Sequence, residues 1–105
     1  MFQLRIYTLR SAEALDRYAT IHWARHIGSL DAFRVETRGI WTSRDGGENR
    51  LFALVSYENG ADPTRVETEY MASSEFAEDM AGFDPHDLVG VTSVLLDATA
   101  ASPIR

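Results

Sequence analysis

The chain predicts an α+β fold: a four-stranded antiparallel sheet with helices on one face, in the order β-α-β-β-α-β. Three observations carry it. Strand-like segments stand near both ends of the chain, the first alternating and the last rich in β-branched residues. Two more such segments flank Asp45-Gly46-Gly47, a hairpin signal. Helical patterning with good caps fills the two gaps that remain.

The opening segment, Phe2 to Leu9, alternates cleanly, with Phe2, Leu4 and Ile6 on one face and Gln3, Arg5, Tyr7 and Leu9 on the other. Ser11 is a suitable N-cap, and a helix runs from about Ala12 to about Phe33, with a break expected near Gly28. Its inner stripe reads Leu15, Tyr18, Ala19, His22, His26, Leu30 and Phe33 at 100° per residue. Val35 to Thr42 is the second strand and Arg50 to Tyr57 the third. Apolar residues on both faces of the third make it a central strand. Asp62 caps a helix that begins at Pro63 and turns Val66 and Tyr70 inward. Ser73-Ser74 starts a short helix, Glu75 to Ala81, with Phe76 and Met80 inward. After the turn-rich stretch Gly82 to Asp87, Leu88 to Asp97 is the last strand, and the tail from Ala98 reads as a loosely ordered arm.

This order is the split-βαβ, ferredoxin-like unit, whose helices cover one sheet face. The other face is also too apolar for water, so the expectation is a homodimer, a second copy of the chain supplying the cover. One domain, residues 1–105, accounts for all of the patterning.

Composition narrows the chemistry. The 105 residues are 45% hydrophobic and 25% charged, within the range of globular chains. A net charge of −6 argues against a nucleic-acid partner, since phosphate binding calls for a basic face. No apolar run reaches the ~20 residues of a membrane span, and neither a membrane partner nor a secretory leader is expected, which makes the cytoplasm the expected location. There is no cysteine, hence no disulfide, thiolate metal site or cysteine nucleophile. All ten basic residues are arginines, so no lysine is available for Schiff-base chemistry.

The candidate catalytic residues are His22, His26, Arg5 and Tyr7. Two histidines four residues apart share one helix face. They suit acid–base catalysis or, with a third ligand, a metal or haem; packed and hydrogen-bonded to backbone, they are simply structural. No metal is expected, because no carboxylate shares the stripe. Arg5 and Tyr7 share a strand face expected to point away from the helices, into the space between two sheets, where they would hold an anionic or enolate oxygen. A plainer role for Arg5 is an ion pair with Glu36 or Glu58. Trp41, Trp23 and Tyr57 are candidates for an aromatic substrate-binding wall, or else core and interface anchors. Asp84-Pro85-His86-Asp87 is a weak site signal, and dinucleotide, P-loop and serine-nucleophile motifs are absent.

Several of these segments have a family likeness. Leu4-Arg-Ile-Tyr-Thr-Leu9, Trp23 with His26, Gly39-Ile-Trp41, Leu51 to Tyr57, the Ser74-Glu75-Phe76 helix start and the Ser102-Pro-Ile-Arg tail resemble the NIPSNAP family in order and spacing. The resemblance covers essentially the whole chain. It implies a dimeric α+β barrel, two four-stranded sheets face to face. That fold hosts cofactor-free monooxygenases, haem-degrading enzymes, muconolactone-type isomerases and stress proteins, and it brings no agreed catalytic motif. The resulting expectation is a small-molecule-binding protein, acting without an organic cofactor on a compact apolar or aromatic metabolite by isomerisation, cyclisation or oxygenation. A non-catalytic binding or interaction protein and a haem-binding or haem-degrading protein are the alternatives.

Overall fold

The computed structural model describes residues 1–105. Its elements are β1 (Phe2–Leu9), α1 (Ala12–Arg17), a π-helical turn (Tyr18–His22), α2 (Trp23–Ala32), β2 (Val35–Thr42), β3 (Asn49–Tyr57), α3 (Pro63–Met71), α4 (Ser74–Asp79), a 3-10 turn (Pro85–Asp87) and β4 (Leu88–Leu96). The four strands form one antiparallel sheet in the order β2-β3-β1-β4. This is the α+β, ferredoxin-like arrangement that the patterning predicts.

Side-chain caps start α1, α3 and α4. The Ser11 side chain accepts from Ala14 N–H, Asp62 from Thr64 and Arg65 N–H with Pro63 at the first position, and Ser73 from Phe76 N–H. No helix is long and apolar enough to cross a membrane.

The first helical segment is interrupted, but not where expected. Gly28 sits within α2, while the irregularity is the π-turn at Tyr18–His22. One extra residue in that turn rotates α2 about its axis, so that the adjacent His22 and Trp23 are both buried together with Tyr18, His26 and Leu30. Trp23 is therefore a core residue at 1% exposure, although it lies off the predicted stripe.

Sheet faces are set by register. Gln3, Arg5, Tyr7 and Leu9 of β1 and Leu51, Ala53, Val55 and Tyr57 of β3 are the buried sets, lying under the helices. This reverses the expectation for β1: Arg5 and Tyr7 face the helices, and Leu4 and Ile6 face away. Alternation alone cannot assign a face when both faces are mostly apolar. The physical reason for this outcome is the aromatic core, in which Tyr7 packs edge-on against Tyr18 and Trp23 at 5.3 and 6.0 Å between centroids.

A second register effect moves Trp41. The β2–β3 pairing slips between Thr37 and Gly39, so Thr37 opposes Val55 but Gly39 opposes Leu54 and Trp41 opposes Phe52. The bulge turns Trp41 onto the helix-free face, where it is 54% exposed. The indole lies flat over Gly39, where a Cβ would fall 2.3 Å from the ring. Only glycine leaves that space.

The helix-free face of the sheet thus presents Phe2, Leu4, Ile6, Trp41, Phe52, Leu54, Val94 and Leu96. The tail folds back at one end of this face, where Ala98, Thr99, Ser102 and Ile104 share a hollow with Phe2, Leu54 and Leu96.

Candidate functional site

The space between sheet and helices is incompletely filled. A cavity of about 290 Å³ lies over β1, lined by Arg5, Tyr7, Tyr18, Trp23, His26, Leu30, Glu67, Tyr70, Met71, Phe76, Met80, Leu88 and Val91. Its volume is at the lower end of the ~300–1,000 Å³ typical of small-molecule sites. The lining is mainly aromatic and aliphatic, with a few polar groups that converge.

Asp79 organises one wall. This carboxylate, at the end of α4, is 5% exposed and surrounded by donors. Tyr70 O–H donates to Oδ2 at 2.6 Å, Ser29 O–H to Oδ1 at 3.0 Å, and His26 Nδ1 lies 3.3 Å from Oδ2. Burial works to raise the Asp79 pKa, but these hydrogen bonds outweigh it and hold the group below the ordinary carboxylate value, hence ionised. Because the Tyr70 proton is directed at Asp79, the tyrosine oxygen is the acceptor for His26 Nδ1–H, 2.5 Å away. That assigns the His26 tautomer: the proton is on Nδ1, and Nε2 carries the lone pair. Nε2 has no protein partner and is not among the fully buried atoms. The ring is clamped between Phe76, stacked at 5.9 Å with planes 10° apart, and Trp23, edge-on at 5.2 Å.

The same helix end holds the other histidine. His22 Nδ1–H donates to the Asp79 carbonyl at 2.9 Å, and Arg25 Nη1 donates to the carbonyls of Asp79 and Ala81 at 3.2 and 3.1 Å. These donors satisfy the free carbonyls of α4 and dock it on α2. His22 does not border the cavity. Its visible role is to position α4, and the two histidines diverge to different atoms of one residue instead of converging on a shared ligand. No group of three His, Cys, Asp or Glu side chains comes together anywhere in the chain.

Across the cavity, Arg5 Nε donates to Gln3 Oε1 and Nη2 to the Tyr57 hydroxyl, both at 2.8 Å, and Tyr57 O–H donates to Gln3 Oε1 at 2.8 Å. Arg5 pairs with neither Glu36 nor Glu58, which bind Arg38 and Arg34 at the surface. Burial raises the Tyr7 pKa, with the Arg5 charge opposing it, so the phenol stays protonated.

The predicted residues therefore sort into three groups. Arg5, Tyr7, His26 and Trp23 border one cavity. His22 and Tyr57 stand behind it, each holding a neighbour in place. Trp41 is on the opposite side of the sheet, so Trp41, Trp23 and Tyr57 form no common wall. Asp79, Tyr70, Tyr18 and Glu67 also belong to the site, although sequence patterning did not mark them as candidates. Asp79 did leave a signal: it lies three residues after Phe76, on the inner face of a short helix, where an unpaired carboxylate is unexpected.

Among curated proteins, none matches the sequence. Solved structures do. An uncharacterized NIPSNAP domain protein from Burkholderia xenovorans superimposes with a TM-score of 0.76 at 20% identity, covering 97% of each chain. A NIPSNAP family protein of unknown function from Agrobacterium tumefaciens gives 0.80 at 15% identity, over 99% of this chain and 92% of the other. An antibiotic biosynthesis monooxygenase shares the fold more loosely, at 0.53 and 14% identity over 94% and 99%. The NIPSNAP sequence profile matches residues 2–103, nearly the full length and every element that builds the cavity, and the chain belongs to the NIPSNAP family.

Proposed function

We propose that the protein binds a compact apolar or aromatic metabolite between its sheet and helices and moves a proton on it, with His26 as the base. The observation that carries this reading is the His26 geometry: Nδ1–H tied to Tyr70 and Asp79, and an unpartnered Nε2 on a residue that borders the cavity. A buried carboxylate behind an imidazole fixes its tautomer and stabilises the imidazolium that forms when Nε2 takes a proton. Burial lowers the His26 pKa, with Asp79 pulling it partly back, so the base is neutral and ready at neutral pH. Arg5 and the Tyr7 hydroxyl are placed to hold the oxyanion left by proton removal beside a carbonyl or from a phenol. Proton abstraction is the step common to isomerisation, cyclisation and substrate-assisted oxygenation, and none of these draws on a lysine or a cysteine.

The working form we propose is a homodimer, formed through the helix-free sheet face. That face leaves a large apolar surface, Trp41 included, in water unless something covers it.

The test is hydrogen–deuterium exchange. A panel of small ketones, keto acids and phenols is incubated with the protein in D₂O and followed by proton NMR. Catalysed loss of a C–H signal is expected for at least one member, with His26→Gln slowing it about 10²–10⁴-fold. Exchange that His26→Gln leaves untouched sinks the assignment. Saturable binding without exchange would make this a binding protein.

A further inference from the structure

Arg5 is a buried cation without a counter-ion. It is 6% exposed, its two engaged nitrogens meet neutral partners, and no carboxylate of the chain pairs with it. The third nitrogen, Nη1, has no partner and is not among the fully buried atoms. Buried charges are ordinarily paired, because an unpaired one forfeits its hydration with nothing in return. A transition-state oxyanion does not remove this cost, since it exists only fleetingly; a negative charge carried by the ligand itself does.

Arg5 stands on the wall of a cavity whose lining is otherwise mainly aromatic and aliphatic. An unpaired cation on such a wall describes an anionic oxygen group joined to an apolar body.

Resting on the proposed role of this cavity, we infer that the natural ligand is a small organic monocarboxylate, its carboxylate held by Arg5 Nη1. Its carbon skeleton lies among Tyr7, Tyr18 and the aliphatic side chains of β4, within reach of His26. A second acid or a phosphate does not fit this recognition, because the cavity offers one unpaired cation and is otherwise apolar. Glu67 is the one carboxylate on the lining; it is half-buried, forms no ion pair, and repels a bound acid.

Titration calorimetry with a matched pair tests this: phenylacetate against its neutral isostere phenylacetamide, on the full chain. The acid is expected to bind at least about ten-fold more tightly than the amide. Arg5→Gln should abolish that preference while still taking up the amide, which shows that the variant is folded. Glu67→Gln should tighten phenylacetate and leave phenylacetamide unchanged, a test that does not depend on the Arg5 variant folding. An amide that binds as tightly as the acid, or a preference that survives Arg5→Gln, overturns the carboxylate assignment and leaves the cavity's proposed role standing. Binding of neither probe overturns both.

Discussion

Asp79→Ala is expected to destabilise the fold by about 2 kcal/mol or more, because it strands the Tyr70 hydroxyl and the Ser29 hydroxyl, at ~1 kcal/mol or more apiece. Against the ~5–15 kcal/mol of an ordinary domain that is a large share. Asp79→Asn keeps the shape and one acceptor oxygen and should lose about half as much. Urea titrations of the three proteins measure the difference, and a loss below about 1 kcal/mol for Asp79→Ala would refute the network as drawn. The same carboxylate sets the acid limb of stability. Both His26 and Asp79 have pKa values depressed in the folded chain, so for each the unfolded state binds protons more readily. The His26 contribution is full above its ordinary 6.5 and lost as pH falls below it toward the folded value. The Asp79 contribution is full above its ordinary 3.8 and lost below it. Stability should therefore decline in two acid steps, of which Asp79→Ala lacks the lower.

Ile6→Glu is expected to convert the proposed dimer into a single chain of 11.8 kDa. Ile6 is central on the helix-free face, between Phe52 of β3 and Thr92 of β4. A carboxylate there costs little in an isolated chain, where it reaches water. In a sheet-to-sheet interface it loses its hydration without a partner, at about 3 kcal/mol, or more than 100-fold in dissociation constant. Sedimentation velocity across a concentration series reads the change, and circular dichroism verifies that the variant keeps its sheet. A wild-type chain that sediments as a monomer at every concentration would refute the homodimer. The fold change for Trp41→Ser, at the rim of the same face, should be smaller.

Periodicity and cap chemistry were sufficient for the architecture, since both are local. Ser11, Asp62 and Ser73 each satisfy a free N–H two or three residues away, and a strand shows its period within a single short segment. The order β-α-β-β-α-β then leaves few ways to pair the strands. Arg5, Tyr7, His26 and Trp23 were also legible as candidates, because polar or amphipathic groups on an apolar stripe stand out. Their grouping was not. It depends on one π-turn, which brings Trp23 inward beside His22, and on one β-bulge, which sends Trp41 outward.

What the chain determined by itself is the set of elements, their order, the family and the absence of cysteine and lysine chemistry. Which face of β1 meets the helices was left to the tertiary structure, because both faces are apolar enough to be buried and only packing against Tyr18 and Trp23 breaks the tie. The partner of His26 was left to it as well. Asp79 lies 53 residues further along the chain, and no periodicity links two helices that meet only when both pack on the same sheet. The candidate site is thus a product of long-range packing: a histidine from one helix, a carboxylate from another and an arginine from the strand beneath them.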